Sequence, residues 1–196
     1  MTVKQSILRI VYPFWIWFTK LSKHHVKQLV NEHKAPPPSP VYDLSVHLNN
    51  GKLLPLAEHK GKKILFVNTA SDCGYTNQYA DLQKLYEEHR DKLVIIGFPA
   101  NDFKEQEKGT DDQIARFCTV NYGVSFPLAK KSSVLKSPSQ NEIFRWLSHK
   151  DLNGWTNKQP SWNFSKYLVN EEGILTHYFD PSVEPLGPEV VKAINS

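Results

Sequence analysis

Cys73 stands where an apolar run, Ile64-Leu65-Phe66-Val67-Asn68-Thr69-Ala70, gives way to an amphipathic helical pattern. Backbone N–H groups at a helix start carry partial positive charge and stabilise a thiolate, which is the nucleophilic form of cysteine. Cys73 is therefore a candidate nucleophile. The competing reading is a buried, inert cysteine, the common fate of a free thiol. The chain has one other cysteine, Cys118. Two cysteines without a CxxC spacing make no disulfide framework and supply too few ligands for a zinc ribbon or a dithiol active site. The eight histidines are scattered and form no HExxH. Neither a metal nor a cofactor is expected.

The elements that must position Cys73 follow from periodicity. Val41 to Leu48 and Lys52 to Leu56 flank Asn49-Asn50-Gly51, residues that tolerate positive φ, and read as a hairpin. Ile64 to Ala70 reads as a buried strand, followed by a helix over Asn77 to His89 with Tyr79, Leu82, Leu85 and Tyr86 on one face. Leu93 to Phe98 is a second buried strand, stopped by Pro99, so a right-handed parallel crossover is expected. Thr110 and Gln113 form a capping box for a helix through Ile114, Phe117 and Cys118 that ends near Gly123. Pro138 to Leu147 predicts another helix. Ser165 to Val169 and Ile174 to Phe179 pair across Asn170-Glu171-Glu172-Gly173, and a last helix starts near Pro188. The order predicts an α/β domain with a mixed sheet covered by helices on both faces.

Ahead of this body, residues 1–34 form a basic, aromatic arm. They hold six of the 24 Lys and Arg against one of the 20 Asp and Glu, a charge of +5, and the rest of the chain carries 18 against 19, or −1. A near-neutral body argues against nucleic-acid binding, although the pI is about 8.9. The run Ile7 to Phe18 places Ile7, Ile10, Val11, Phe14 and Phe18 at helical spacing, which Leu21 continues beyond it, with Trp15 and Trp17 suited to an interfacial belt. It falls short of the ~20 apolar residues needed to span a bilayer and contains Arg9 and Pro13. No small-residue cleavage site of a signal peptide is found before Ala35. An amphipathic helix on an anionic membrane surface is expected, against the alternative of packing on the body or on a partner. Pro36, Pro37, Pro38 and Pro40 read as a stiff spacer, which puts the linker at residues 35–40 and the domain at 41–196.

Four blocks, NTASDCGYT at Asn68 to Thr76, GFPANDF at Gly97 to Phe103, EQEKG at Glu105 to Gly109 and WNFSKYLV at Trp162 to Val169, resemble the glutathione peroxidase family in order and spacing. The resemblance covers about Val41 to Ala193. It implies a thioredoxin-like fold and the reduction of hydroperoxides to water or alcohols by a cysteine or selenocysteine. By similarity Cys73 is the peroxidatic residue, supported by Gln106, Trp162 and Asn163. A thiolate that attacks one peroxide oxygen must expel the other as an oxyanion. Carboxamide and indole N–H donors can receive that charge without changing their own. These blocks hold no histidine base, so a Cys-His type of activation has no support in them.

The segment RFCTVNYGV around Cys118 resembles the resolving-cysteine region of the thioredoxin-dependent members, which implies that Cys118 condenses with the sulfenic acid of Cys73. A disulfide requires Cα atoms within about 7 Å, so the Thr110 to Tyr122 helix is expected to unwind or swing. Many relatives have cysteine where this chain has Ala100, and QEPG more often stands where Gln106 to Gly109 reads QEKG, a change expected to loosen the loop. The short segment from Lys131 to Trp162 resembles compact, monomeric members. It favours a thioredoxin-like reductant over glutathione, which needs anion-binding groups such as Lys104, Lys130 or Lys131 near Cys73. The arm suggests lipid hydroperoxides as substrates and a membrane-associated, otherwise cytoplasmic, protein. Direct use of glutathione, a tethered redox sensor with little turnover, and a structural disulfide remain as alternatives.

Overall fold

The computed structural model describes residues 27–196. Of the arm at residues 1–34 expected to contact a membrane, residues 1–26 lie outside them. The sheet has five strands in the order β1-β7-β6-β4-β5. They are β1 (Gln28–Val30), β4 (Lys63–Thr69), β5 (Leu93–Pro99), β6 (Lys166–Val169) and β7 (Leu175–Phe179), while β2 (Ser45–His47) and β3 (Leu53–Pro55) form the expected hairpin. Every residue of β4 and β5 is buried. Helix α1 (Gln78–His89) crosses between these two parallel strands. Helices α2 (Asp111–Tyr122), α3 (Glu142–Ser148), α4 (Lys150–Asn153) and α5 (Pro188–Asn195) complete the domain.

Alternation along β4 divides the core. Ile64 and Phe66 face a cluster with the hairpin and with Phe144, Trp146 and Leu147 of α3. Leu65 and Val67 face the other cluster, with Leu82 and Leu85 of α1, Ile114 and Cys118 of α2 and Val190 and Ile194 of α5. Two apolar faces need two helical layers, so helices cover both sides.

Helix ends obey local chemistry. The Thr110 hydroxyl accepts from the Gln113 N–H, the Gln113 carboxamide accepts from the Thr110 N–H, and Gly123 closes α2 at φ 64°. Helix α3 begins at Glu142, not at Pro138, because the Asn141 side chain caps it by accepting from Ile143 and Phe144 while Pro138 to Gln140 form a turn. Pro99 is tolerated in β5 because that strand lies at the sheet's edge. Residues Pro127 to Ala129 then cover the edge through bonds to both polar atoms of Gly97.

The N-terminal boundary moves relative to the expectation. Strand β1 falls within the stretch read as arm, pairing antiparallel with β7, and the Asn31 carboxamide donates to the Leu175 carbonyl at 3.0 Å. The proline-rich segment lies on the body instead of standing off it. The Ser39 N–H donates to the Leu152 carbonyl, the Trp146 indole donates to the Ser39 carbonyl at 2.7 Å, and Pro36 to Pro38 pack against Gly154.

The turn between β6 and β7 needs its glycine twice over. Gly173 has φ +83°, and a Cβ there meets the Tyr42 ring at 2.7 Å. Gly51 has a nearly identical φ but open space around it. Gly173→Ala should lower the unfolding free energy by about 1–3 kcal/mol and Gly51→Ala by about 1 kcal/mol, the first adding overlap to strain. Urea unfolding of the two variants checks the difference.

Candidate active site

The carboxyl ends of the parallel strands β4 and β5 lie at one end of the sheet. Because β6 runs antiparallel to β4, its beginning lies there too. The Cys73 turn leaves β4, the Gln106 loop leaves β5, and the Trp162-Asn163 turn enters β6. Chain topology alone thus brings three of the four blocks' functional segments together.

Hydrogen bonds join them. The Asp72 N–H donates to the Gln106 carbonyl at 3.0 Å, and the Ala100 N–H donates to the Thr69 carbonyl at 3.0 Å. Asn68, the polar residue inside the apolar strand, donates from its carboxamide to the Trp162 carbonyl at 3.0 Å. Its own carbonyl accepts from Phe164 at 2.6 Å, and its N–H donates to Ser165. The Asn163 carboxamide donates to the Gln106 side-chain oxygen at 3.0 Å. With its oxygen committed, Gln106 has its NH₂ group left to donate.

Cys73 is half-buried, on the turn ahead of α1. The Tyr75 N–H points at its sulfur, 3.5 Å away. Thr76 braces the turn, its hydroxyl accepting from the Cys73 N–H and donating to the Cys73 carbonyl. The helix proper starts at Gln78, so the Tyr75 amide and not the first helical turn meets the sulfur. Trp162 packs on Phe103 with ring centres 5.3 Å apart, and the Lys104 ammonium lies 5.7 Å from its ring centre. Three non-glycine residues here take positive φ: Lys104 at 51°, Glu105 at 53° and Phe164 at 68°. They flank Gln106 and Asn163, the positions where backbone strain is held in place by the bonds above.

Cys118 is fully buried on α2. Burial pushes its thiol up to about 11. The Tyr79 hydroxyl lies beside it and acts in the opposite sense, without a hydrogen bond of good geometry. The two cysteines are unbonded. Between the Gln106 loop and α2 lies an open cavity of about 400 Å³, lined by Ser71, Asp72, Gln106, Ile114 and Phe117 among others.

Two residues to which the sequence reading gave no role, Asn68 and Glu107, and one considered there only for anion binding, Lys131, belong to this region. Glu107 is 1% exposed and accepts from the Ser71 hydroxyl at 3.0 Å, while its N–H donates to the Asn101 carboxamide. Lys131 supports the same loop by donating to the carbonyls of Glu107 and Gly109. Its N–H is held by Asp111 at 2.8 Å. These bonds restrain the loop despite Lys108. They also engage Lys131, so of the three lysines considered for anion binding, Lys104 is the one beside Trp162. Asn68 carried a signal, a polar side chain inside an apolar strand. Glu107 carried none beyond its place in the EQEKG block.

Burial pushes the Glu107 carboxyl up from an ordinary 4.5 to about 7, against the pull of Ser71 and Lys131. Between those pH values the folded chain binds more protons than the unfolded one, so this group's contribution to stability falls as pH rises through the window. Glu107→Gln should remove that component. Urea unfolding from about pH 4 to about pH 8 should show wild type losing stability relative to the variant as pH increases.

A family model described as glutathione peroxidase matches residues 41–148. The glutathione peroxidase homolog BsaA of Staphylococcus epidermidis is 42% identical over 146 residues, 74% of this chain and 91% of that protein. The glutathione peroxidase-like peroxiredoxin 2 of Saccharomyces cerevisiae is 40% identical over 145 residues, 74% of this chain and 89% of that protein. Among solved structures, Trgpx in apo form superposes with a TM-score of 0.60 at 29% identity, covering 81% of this chain and 97% of that one. A DsbF homologue from Corynebacterium diphtheriae gives 0.61 at 15% identity, covering 89% and 95%, a likeness of fold alone. The fold is thioredoxin-like. Sequence blocks, sheet topology and relatives agree, and the chain belongs to the glutathione peroxidase family.

Proposed function

We propose that this peroxidase reduces hydrogen peroxide and organic or lipid hydroperoxides through Cys73. The observation that carries the reading is the convergence of a half-buried sulfur, tied at Asp72 to the Gln106 backbone, with the bonded pair Gln106 and Asn163. The Cys73 thiolate attacks one peroxide oxygen, the O–O bond breaks, and the departing oxygen takes a proton to leave as water or alcohol. Gln106, Trp162 and Asn163 donate to that oxygen as charge develops on it. The sulfur is left as a sulfenic acid.

Cys118 then resolves it. Its thiol displaces the sulfenic oxygen as water and forms a disulfide with Cys73, which a thioredoxin-like dithiol reduces. The thiol held at about 11 by burial stays protonated at neutral pH, so exposure must precede its attack. Unwinding of α2 supplies that exposure, and the cavity between α2 and the Gln106 loop gives the helix room to move. The domain acts as a monomer. Residues 1–26, with their basic and aromatic composition, bring it to an anionic membrane.

Cys73→Ser should abolish peroxide consumption. Cys118→Ser should still consume about one equivalent per chain but lose turnover with thioredoxin, and Gln106→Ala should slow oxidation about 10²-fold or more. One equivalent of peroxide should reduce far-UV helical signal in wild type and not in Cys118→Ser. Stopped-flow and circular dichroism check these, and full turnover by Cys118→Ser with glutathione would favour glutathione as the direct reductant. For the arm, full-length chain should co-sediment with phosphatidylserine-containing liposomes and a chain beginning at Lys27 should not.

A further inference from the structure

Among the described residues, Lys63 and Lys166 are the buried lysines. Lys63 pairs with Glu171 at 3.0 Å. Lys166 is 0% exposed, and no carboxylate among the described residues lies within salt-bridge distance of it. Its Nζ donates to two backbone carbonyls, Phe164 at 2.9 Å and Val183 at 2.7 Å. Burial brings its ammonium down to about 7, with Asp180 opposing. An unpaired buried ammonium carries a desolvation cost that an apolar chain of similar length avoids, so its two bonds are what distinguish it from a methionine.

Both bonds end on segments that set the site. Phe164 follows Asn163, takes φ 68°, and has its N–H bound to Asn68 and its carbonyl bound to Lys166. Val183 closes a turn from Asp180, where the Val183 N–H donates to the Asp180 carbonyl at 2.9 Å. The same turn accepts at the Pro181 carbonyl from the carboxamide of Gln78, at 2.7 Å. Gln78 is buried and is the first residue of α1, the helix after Cys73. The Asp180 carboxylate also accepts from Ser161, next to Trp162. One turn is therefore bonded to the sulfur's helix on one side and to the donors' turn on the other.

We propose that Lys166 is a positioning residue for peroxide cleavage. It fixes the Trp162-Asn163 donors relative to Cys73 by holding the Phe164 carbonyl to the Asp180–Val183 turn that Gln78 ties to α1. This rests on the reading of Cys73, Gln106, Trp162 and Asn163 given above. Without the ammonium, Phe164 keeps its N–H bond to Asn68 but loses the bond on its carbonyl, so its left-handed conformation relaxes and shifts the adjoining Asn163.

The test uses full-length Lys166→Met and Gln78→Leu, each in a Cys118→Ser background so that Cys73 alone reports. Oxidation by hydrogen peroxide and alkylation by iodoacetamide are measured side by side. Alkylation expels iodide and needs no donor for a departing oxygen, so it follows the sulfur and not the donors. Oxidation should slow about ten- to a hundredfold in both variants while alkylation stays within about twofold. Unchanged oxidation, or a parallel loss of both rates, overturns the proposal. Should Lys166→Met lack a cooperative thermal transition, Gln78→Leu decides by the same criterion. Gln106→Ala in the same background separates the two levels: if it oxidises at the parent rate, the donor reading itself fails and the proposal falls with it.

Discussion

Asn68 binds the end of strand β4 to a turn 94 residues further along through its N–H, its carbonyl and its carboxamide. A polar side chain in a fully buried strand is costly unless it is bonded, and this one holds the Trp162 carbonyl. Strand β4 also delivers Cys73, so the sulfur and its prospective hydrogen-bond donors share one rigid origin. The strained φ angles at Lys104, Glu105 and Phe164 persist because that origin, together with Asp72, Asn101, Lys131 and Lys166, over-determines the surrounding backbone.

Periodicity and caps made most of the domain legible. Ile64 to Ala70 and Leu93 to Phe98 are apolar without interruption other than Asn68, Thr69 and Gly97, as strands covered on both faces must be. Thr110, Gln113 and Gly123 marked both ends of a helix. The failures are equally physical. Three residues, Gln28 to Val30, are too few to display a period, so β1 was hidden in a stretch whose composition suggested something else. Pro138 looked like a helix start, yet Asn141 is the residue whose side chain can satisfy two free N–H groups. At the site, Cys73 stood out as a candidate from its junction, with an inert cysteine as the competing reading, whereas Gln106, Trp162 and Asn163 gained meaning through the family resemblance. Glu107 and Lys166 could not be seen, because an isolated acid or lysine in a sequence reads as surface until its neighbours are known.

Cys118 sits under opposing demands. Packing among Ile114, Val124 and Phe126 and a cap at each end of α2 keep it protonated and inert. A resolving thiol must do the opposite. If Cys118 resolves a sulfenic acid on Cys73 as proposed, α2 must first open against its caps, of which a good N-cap contributes ~1 kcal/mol.

The edge strand β1 has a mechanical consequence. If residues 28–40 were a free leash, they could span about 45 Å at full extension, and the domain could tumble beneath whatever held its beginning. Instead Gln28 to Val30 are zipped to β7 and the Lys27 carbonyl is fastened to the Asp180 N–H. A pull on the chain at Lys27 is therefore delivered at one rim of the sheet, beside the Asp180–Val183 turn.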